Sequence, residues 1–142
     1  LTKPNSKFWP NKEKGAKMIE EIQRRVNADQ ALQHRGRWVN LTFVFGIGDD
    51  DYLITISAGK ITDIRQRHLP TDTGSFSIRA SKDSWDKHWQ VTPPRDYHDI
   101  FAMLPKQIAR IDGELLPLMQ NLQYFKDIIA KLRDGKGDEN GG

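Results

Sequence analysis

Alternation between apolar and polar residues predicts four strands in the middle of the chain. From Val39 to Phe45 every second residue is large and apolar, which is the period of a strand with one buried face. The same period recurs at 52–57, more weakly at 60–67, and at 76–80. We expect a turn at 46–51, a tight hairpin turn at Ala58-Gly59 and a loop at 68–74.

A period of three to four residues predicts helices on either side of these strands. From Lys12 onwards it places Met18, Ile19, Ile22 and Val26 on one helix face. Asp29 is expected to cap a short second helix that ends at Gly36, and Ser81 to cap a helix carrying Trp85 and Trp89. A further short helix is expected over 97–104, before Pro105.

The last part of the chain has the strongest helical pattern. Ile108 and Ile111 indicate a short fifth strand, after which an apolar stripe runs from Leu115 to Leu132. We expect one long C-terminal helix with Pro117 near its start. The order of elements predicts an α+β fold, a mostly antiparallel five-stranded sheet packed against helices.

The length and the local composition predict one domain between two tails. A chain of 142 residues fits a single domain. We expect a disordered basic tail at 1–11, the domain at 12–134 and a disordered tail at 135–142. Phe8 and Trp9 could dock on the domain or contact a membrane surface beside the neighbouring lysines; docking is favoured.

Charge and cysteine content exclude several classes of protein. Residues 1–37 carry nine Lys and Arg against four Asp and Glu, so the basic charge belongs to the N-terminal segment. Basic and aromatic residues are not interleaved on one face, which argues against nucleic-acid binding. The chain contains no cysteine and therefore no disulfide or thiol nucleophile. No apolar run is long enough to span a membrane, and we expect a cytoplasmic protein.

The residues that carry chemistry elsewhere show no catalytic pattern in this chain. The four histidines have no metal-binding spacing, and Asp49-Asp50-Asp51 lacks the spaced ligands of a calcium loop. There is no nucleophile elbow and no phosphate-binding loop. We therefore expect no catalytic residues, no metal and no cofactor.

Three segments of the chain carry a resemblance to a known family. They are ISAGKI (56–61), FSIRASKDSW (76–85) and IARIDGELLPLM (108–119). Together with the order of elements over about residues 15–134, they resemble the sterol carrier protein family of lipid-transfer domains. The resemblance implies a sheet and helices enclosing an apolar tunnel that is closed by the C-terminal helix. It implies as ligand a sterol, fatty acid or fatty acyl-CoA.

Nine apolar residues are the candidate lining of this hydrophobic tunnel. They are Trp85, Trp89, Phe101, Leu104, Leu115, Leu118, Met119, Leu122 and Phe125. An ordinary core is the alternative interpretation of the same residues. An empty pocket of ~400 Å³ would cost roughly 10 kcal/mol, so it must hold ligand or water, or collapse.

The preferred function is non-catalytic binding and transport of an apolar lipid. The alternative is an accessory or interaction domain of a larger enzyme that acts on apolar substrates. A hydrolase or isomerase would require a titratable group inside the pocket, and the sequence indicates none. The expected partners are the lipid, transiently a membrane surface contacted by the N-terminal basic segment, and in the alternative the larger enzyme.

Overall fold

A five-stranded sheet with helices on one of its faces forms the part of the chain that the structure describes. This structure is a computed structural model, and it describes residues 11–133. Its elements, in chain order, are α1 (Asn11–Asn27), α2 (Gln30–Arg35), β1 (Asn40–Ile47), β2 (Asp50–Ser57), β3 (Lys60–Gln66), β4 (Phe76–Ala80), α3 (Lys82–His88), β5 (Ala109–Gly113), α4 (Leu116–Gln120), α5 (Leu122–Ile129) and a terminal 3-10 turn (Ala130–Leu132). The α+β class is confirmed.

The strands lie in the order β3-β2-β1-β4-β5. All neighbouring pairs are antiparallel except β1 and β4, which are parallel. The sheet is therefore mixed but mostly antiparallel, as the sequence predicted. The parallel pair follows from the chain path, because β3 and β4 run in the same direction and the segment between them must cross the sheet from end to end.

This crossing segment, residues 67–75, is anchored by an ion-pair cluster on the sheet face opposite the helices. The Asp51 carboxylate accepts hydrogen bonds from Arg67 and Arg79, at 3.1 and 3.0 Å. At the other end the Ser75 amide donates to the carbonyl of Thr42 at 2.8 Å. Gly74 lies so close to Thr42 that an added Cβ would approach the Thr42 carbonyl oxygen to 2.7 Å.

The helix-facing side of the sheet forms the core. Phe43, Phe45 and Ile47 of β1 alternate with residues of the opposite face, and Tyr52, Ile54 and Ile56 do so in β2. Ile19, Ile22 and Val26 of α1 pack on this face and are at most 1% exposed. The alternation in the sequence thus identified the helix-facing side correctly. The expectation of a single buried face is wrong, because Val44 and Leu53 on the opposite face are 1% and 2% exposed.

Two predicted helix caps are confirmed by their hydrogen bonds. The Asp29 carboxylate accepts from the Leu32 amide, and the Ser81 hydroxyl accepts from the Ser84 amide, both at 3.0 Å. The Lys131 ammonium also holds the pKa of Asp29 below its ordinary value. The Ala58-Gly59 hairpin turn is confirmed as well, and both residues adopt positive φ, 52° and 83°.

Two predictions for the connecting segments are wrong. The turn expected at 46–51 is limited to Gly48 and Asp49, because Gly46, Ile47, Asp50 and Asp51 continue the paired strands. Segment 97–104 forms consecutive turns instead of a helix. Positive φ at Asp96 and Gln107 reverses the chain at both sides of this segment, and the Asp99 carboxylate bonds the Phe101 amide locally.

The long C-terminal helix is divided into α4 and α5 at Asn121. The Asn121 backbone has φ −125° and ψ 36°, outside the helical region. Its backbone N–H donates to the Leu118 carbonyl, and its side-chain amide donates to the Pro117 carbonyl. In a continuous helix the backbone N–H of Asn121 would itself donate to Pro117. Pro117 lies in the first turn of α4, as predicted. The two predicted tails lie outside the described residues, apart from Asn11, which begins α1.

Candidate functional site

Two stacked tryptophans of the α3 region join the sheet to the last helix. Trp85 and Trp89 have ring centroids 5.8 Å apart and planes inclined by 18°. The Trp85 indole N–H donates to the Gly46 carbonyl at 2.8 Å, and the Trp89 indole N–H donates to the Ile129 carbonyl at 2.7 Å. Both rings are buried with their polar atoms satisfied, so each is fixed in one orientation.

A cluster of phenylalanines lies between α5 and the sheet. Phe125 contacts Phe43 and Phe76 edge-on, with centroids 5.5 and 5.2 Å away, while Phe43 and Phe76 stack at 5.3 Å. All three rings are at most 1% exposed. Edge-on and stacked geometries are the favourable ones for aromatic pairs, so this cluster is well packed.

Helix α4 covers the core through a single side chain. Leu118 is fully buried, whereas Leu115, Leu116 and Met119 are 43%, 66% and 50% exposed. The helix has five residues and no side-chain cap at its N-terminal end. A helix this short gains little from its own backbone bonds, so its position depends on the burial of Leu118.

The nine candidate residues divide into three groups by burial. Trp85, Trp89, Leu118 and Phe125 lie together in the buried core. Phe101, Leu104 and Leu122 are half-buried and pack against that core. Leu115 and Met119 are on the solvent side of α4, apart from the buried group.

In this structure the apolar seam between α4–α5 and the sheet is filled by side chains of the protein itself. The buried rings contact one another directly, and Leu118 belongs to the same cluster. Filling the seam avoids the cost of a cavity of lipid size, roughly 10 kcal/mol for ~400 Å³. A lipid could enter only if this segment moved away from the sheet.

Tyr124 is a buried residue of the seam that was missing from the sequence-based candidates. It is 1% exposed, and its hydroxyl donates to the Gly59 carbonyl at 2.7 Å. Burial raises the pKa of this tyrosine. Gly36 lies against the same ring, where an added Cβ would approach a ring carbon to 2.2 Å. The adjacent Phe125 carried the helical period, so the sequence offered little signal for Tyr124.

Ile100 and Met103 were also missed, because they lie in the turns of segment 97–104. They are 1% and 0% exposed. Without a helix in this segment, the three-to-four residue spacing did not apply. The apolar residues that the sequence selected there, Phe101 and Leu104, are only half-buried.

A polar pocket adjoins the seam where α3 meets α5. His88 is 2% exposed, and its Nδ1 lies 2.7 Å from the Tyr97 carbonyl oxygen, which requires the proton on Nδ1. Its Nε2 is buried and has no partner among the described residues. Burial lowers the pKa of His88, assisted by the nearby Arg133.

The same pocket, a cavity of about 190 Å³, contains an ion pair between Asp99 and Lys126 at 2.7 Å. Burial alone would raise the pKa of Asp99, but Lys126 and the Phe101 amide hold it below its ordinary value. The Arg133 guanidinium donates to the carbonyls of His88 and His98, both at 3.0 Å. These groups bond to one another and form no nucleophile–base pair.

Metal binding and membrane spanning find no support within residues 11–133. No three acidic or histidine side chains of the described chain lie together as a set of metal ligands. None of its helices is long and apolar enough to cross a bilayer.

Comparison with known proteins shows similarity of structure alone. No protein-family model matches the sequence, and no curated protein matches it. Among solved structures, sterol carrier protein 2 superposes with a TM-score of 0.63 at 11% identity, over 81% of this chain and 92% of that chain. Two more are similar at 13% identity. The sterol carrier protein domain 2 of Helicoverpa armigera has a TM-score of 0.52 over 81% and 87% of the two chains. The UbiJ-SCP2 ubiquinone synthesis protein has a TM-score of 0.55 over 82% and 88%.

The chain therefore has the fold of the sterol carrier protein domains, as the sequence resemblance predicted.

Proposed function

We propose that this protein binds an apolar lipid between the sheet and the α4–α5 segment, and carries it without changing it chemically. The observation that carries the proposal is the construction of that segment. It is interrupted at Asn121, and α4 is attached to the core by one buried leucine, Leu118. The shared fold with proteins whose names denote sterol carriers supports the same function here.

Movement of α4 would give a lipid access to an apolar surface. Withdrawal of Leu118 would uncover the core next to Phe125, while α5 would remain attached through Tyr124 and the Trp89–Ile129 hydrogen bond. Burying a 16-carbon chain contributes about 12 kcal/mol before the costs of ordering it. Uncovering Leu118 takes about 1.5–3 kcal/mol of this gross gain. Trp85, Trp89, Leu118 and Phe125 would then line the apolar tunnel, with Phe101, Leu104 and Leu122 at its edge.

The polar groups beside the seam are suited to holding structure and not to catalysis. His88 donates its only proton to the Tyr97 carbonyl, and Asp99 is paired with Lys126. A general base would need a free, correctly placed acceptor within reach of a substrate proton. The Nε2 atom of His88 carries no proton and can accept one, but it is buried and shielded from a ligand in the closed seam.

The test is the lipid content of the purified full chain. Organic extraction followed by mass spectrometry should recover close to one lipid per protein and identify its class. Protein stripped of lipid should take up a fluorescent fatty acid, which unlabelled fatty acid or sterol should displace. If extraction yields nothing and neither probe binds, the seam is an ordinary core and the lipid-carrier proposal is refuted.

An accessory role in a larger enzyme is the second candidate. One structurally similar protein carries a name that associates it with ubiquinone synthesis. An accessory domain need not retain lipid when isolated, so the same extraction distinguishes the two functions. We place the carrier in the cytoplasm, a setting with which the absence of cysteine is compatible. Membrane contact through Phe8 and Trp9 stays a prediction, because both lie outside the described residues.

A further inference from the structure

Exposed apolar side chains are concentrated at one end of the sheet. β1 and β4 are parallel, and Phe76 at the start of β4 pairs with Gly113 at the end of β5. Because Ser77 lies opposite Val44, this pair lies about three residues, roughly 10 Å, further along β1 than its start at Asn40, towards the same end of the sheet. Trp38 lies two residues before β1, and Leu115 lies two residues after β5. The strands β1 and β5 flank β4, so they are separated by two strand spacings, about 10 Å.

Trp38 is the most exposed large apolar residue among those described, at 79%, and Leu116 follows at 66%. Met119 on α4 is half exposed, as is Leu115 at its N-terminal cap. These four residues, Trp38, Leu115, Leu116 and Met119, are called the α4 face below. An apolar group of this kind at one end of a domain indicates contact with another apolar phase.

The charges around the α4 face favour an anionic bilayer. The Arg37 guanidinium lies 5.4 Å from the Trp38 ring centroid and donates to the His34 carbonyl at 2.7 Å. Lys60, the first residue of β3, is exposed at the same end, while Glu114 is the nearest acidic residue along the chain. Tryptophan beside arginine suits the water–lipid boundary, where the ring enters the apolar layer and the cation stays at the headgroups.

We propose that the α4 face docks on the surface of an anionic lipid bilayer, with Leu116, Met119 and Trp38 entering the interface. Gly15 of α1 lies against Tyr52, at the opposite end of the sheet from this docking surface. The docking deepens the proposed function and rests on it, since it names the surface at which lipid would be exchanged. Entry of Leu115, Leu116 and Met119 into the bilayer would favour withdrawal of Leu118 from the core.

The test uses the absence of cysteine from the chain. Leu116→Cys places one thiol on the α4 face, to which an environment-sensitive fluorophore is attached. Leu69→Cys is the matched control, because Leu69 is 58% exposed and follows the last residues of β3 at the opposite end of the sheet. Each labelled full-length protein is mixed with vesicles of phosphatidylcholine and phosphatidylserine, with and without nitroxide lipid as quencher.

The label at 116 should shift to shorter wavelength and be quenched by the nitroxide, while the label at 69 should remain in water. The proposal is overturned if the protein sediments with the vesicles but the label at 116 stays in water. It is overturned equally if no vesicle binding occurs. If the label at 116 is already shielded without vesicles, another part of the protein covers the α4 face and the proposal is overturned. Shielding that grows with protein concentration would identify the covering partner as a second copy of the chain.

Substitution of Leu116 measures how much the α4 face contributes to vesicle binding. Leu116→Ser should weaken the partition into these vesicles about tenfold, and Leu69→Ser should leave it unchanged. Lipid uptake from a fluorescent fatty acid in solution, without vesicles, is measured on the same proteins. Retained uptake together with unchanged vesicle partition in Leu116→Ser would refute the docking surface and leave the carrier function intact.

Discussion

The side-chain amide of Asn121 donates a hydrogen bond to the carbonyl oxygen of Pro117 at 3.0 Å. This bond occupies the acceptor that the Asn121 backbone N–H would use in a continuous helix. The backbone N–H bonds Leu118 instead, so the chain tightens and then changes direction. A single asparagine thus separates α4, which is weakly attached, from α5, which is anchored by Tyr124 and by Trp89.

Replacement of Asn121 by alanine should join the two helices. Alanine removes the competing side-chain bond and favours a helix interior over asparagine by up to about 0.7 kcal/mol. We expect slower amide exchange at 119–122 and slower uptake of a fluorescent fatty acid. Hydrogen exchange and stopped-flow fluorescence measure the two effects. Gln120→Ala, at an exposed neighbouring position, is the control, and the hinge interpretation is wrong if both variants behave alike.

A carboxylate at Leu118 should abolish lipid binding. Leu118 is fully buried, and an unpaired carboxylate cannot be accommodated in an apolar seam. Binding of a fluorescent fatty acid is the measurement, with circular dichroism to establish folding. Leu122→Asp provides a second variant, because Leu122 is half-buried and tolerates a charge more easily. Leu69→Asp should bind normally. Normal binding by folded Leu118→Asp and Leu122→Asp would remove the α4–α5 segment from the site.

Protonation of His88 should destabilise the fold as the pH falls. Burial lowers the pKa of His88 below 6.5, so the unfolded chain binds more protons than the folded one once the pH is below that value. The free energy of unfolding should therefore decrease from pH 6.5 towards about 5, above the range where most carboxylates titrate. Arg133, Asp99 and His98 are the charged and titratable groups near it, and the Tyr97 carbonyl binds its Nδ1.

Urea unfolding at a series of pH values measures this effect. His88→Gln keeps an N–H donor but does not titrate, so its unfolding free energy should change less over the same interval. His68→Gln, at an exposed position, should retain the pH dependence of the parent protein. A parent-like slope in His88→Gln would show that other groups cause the dependence.

Loss of the Trp89 indole N–H should weaken the attachment of α5. Trp89→Phe retains an aromatic ring but leaves the Ile129 carbonyl without its donor. An unsatisfied buried acceptor costs about 1–3 kcal/mol, to which the smaller ring adds a packing loss. Chemical denaturation should show this decrease in stability. Trp38→Phe, at a residue that is 79% exposed, should change the unfolding free energy little. Equal effects of the two substitutions would contradict the anchoring role of Trp89.

Local patterns in the sequence were sufficient for the strands, the first helices and their caps. The two-residue period of β1 and β2 records which residues face the helices, and capping by Asp29 or Ser81 depends on residues three positions away. The strand order and the parallel β1–β4 pair did not follow from information of this kind, whereas the five strands and the resemblance to sterol carrier proteins did. Such features depend on neighbours along the chain, and for that reason they can be inferred without coordinates.

Tertiary structure decided which apolar residues are buried and where the last helix is broken. Leu115, Leu118 and Met119 share one helical period, yet Leu118 alone is buried, because α4 lies at the end of the sheet where little of its surface finds a partner. Tyr124 is buried because Gly36 and Gly59, distant in sequence, accommodate its ring and hydroxyl. The sequence by itself determined the fold class and the apolar character of the C-terminal segment. Packing between distant elements determined which part of that segment is core and which part is surface.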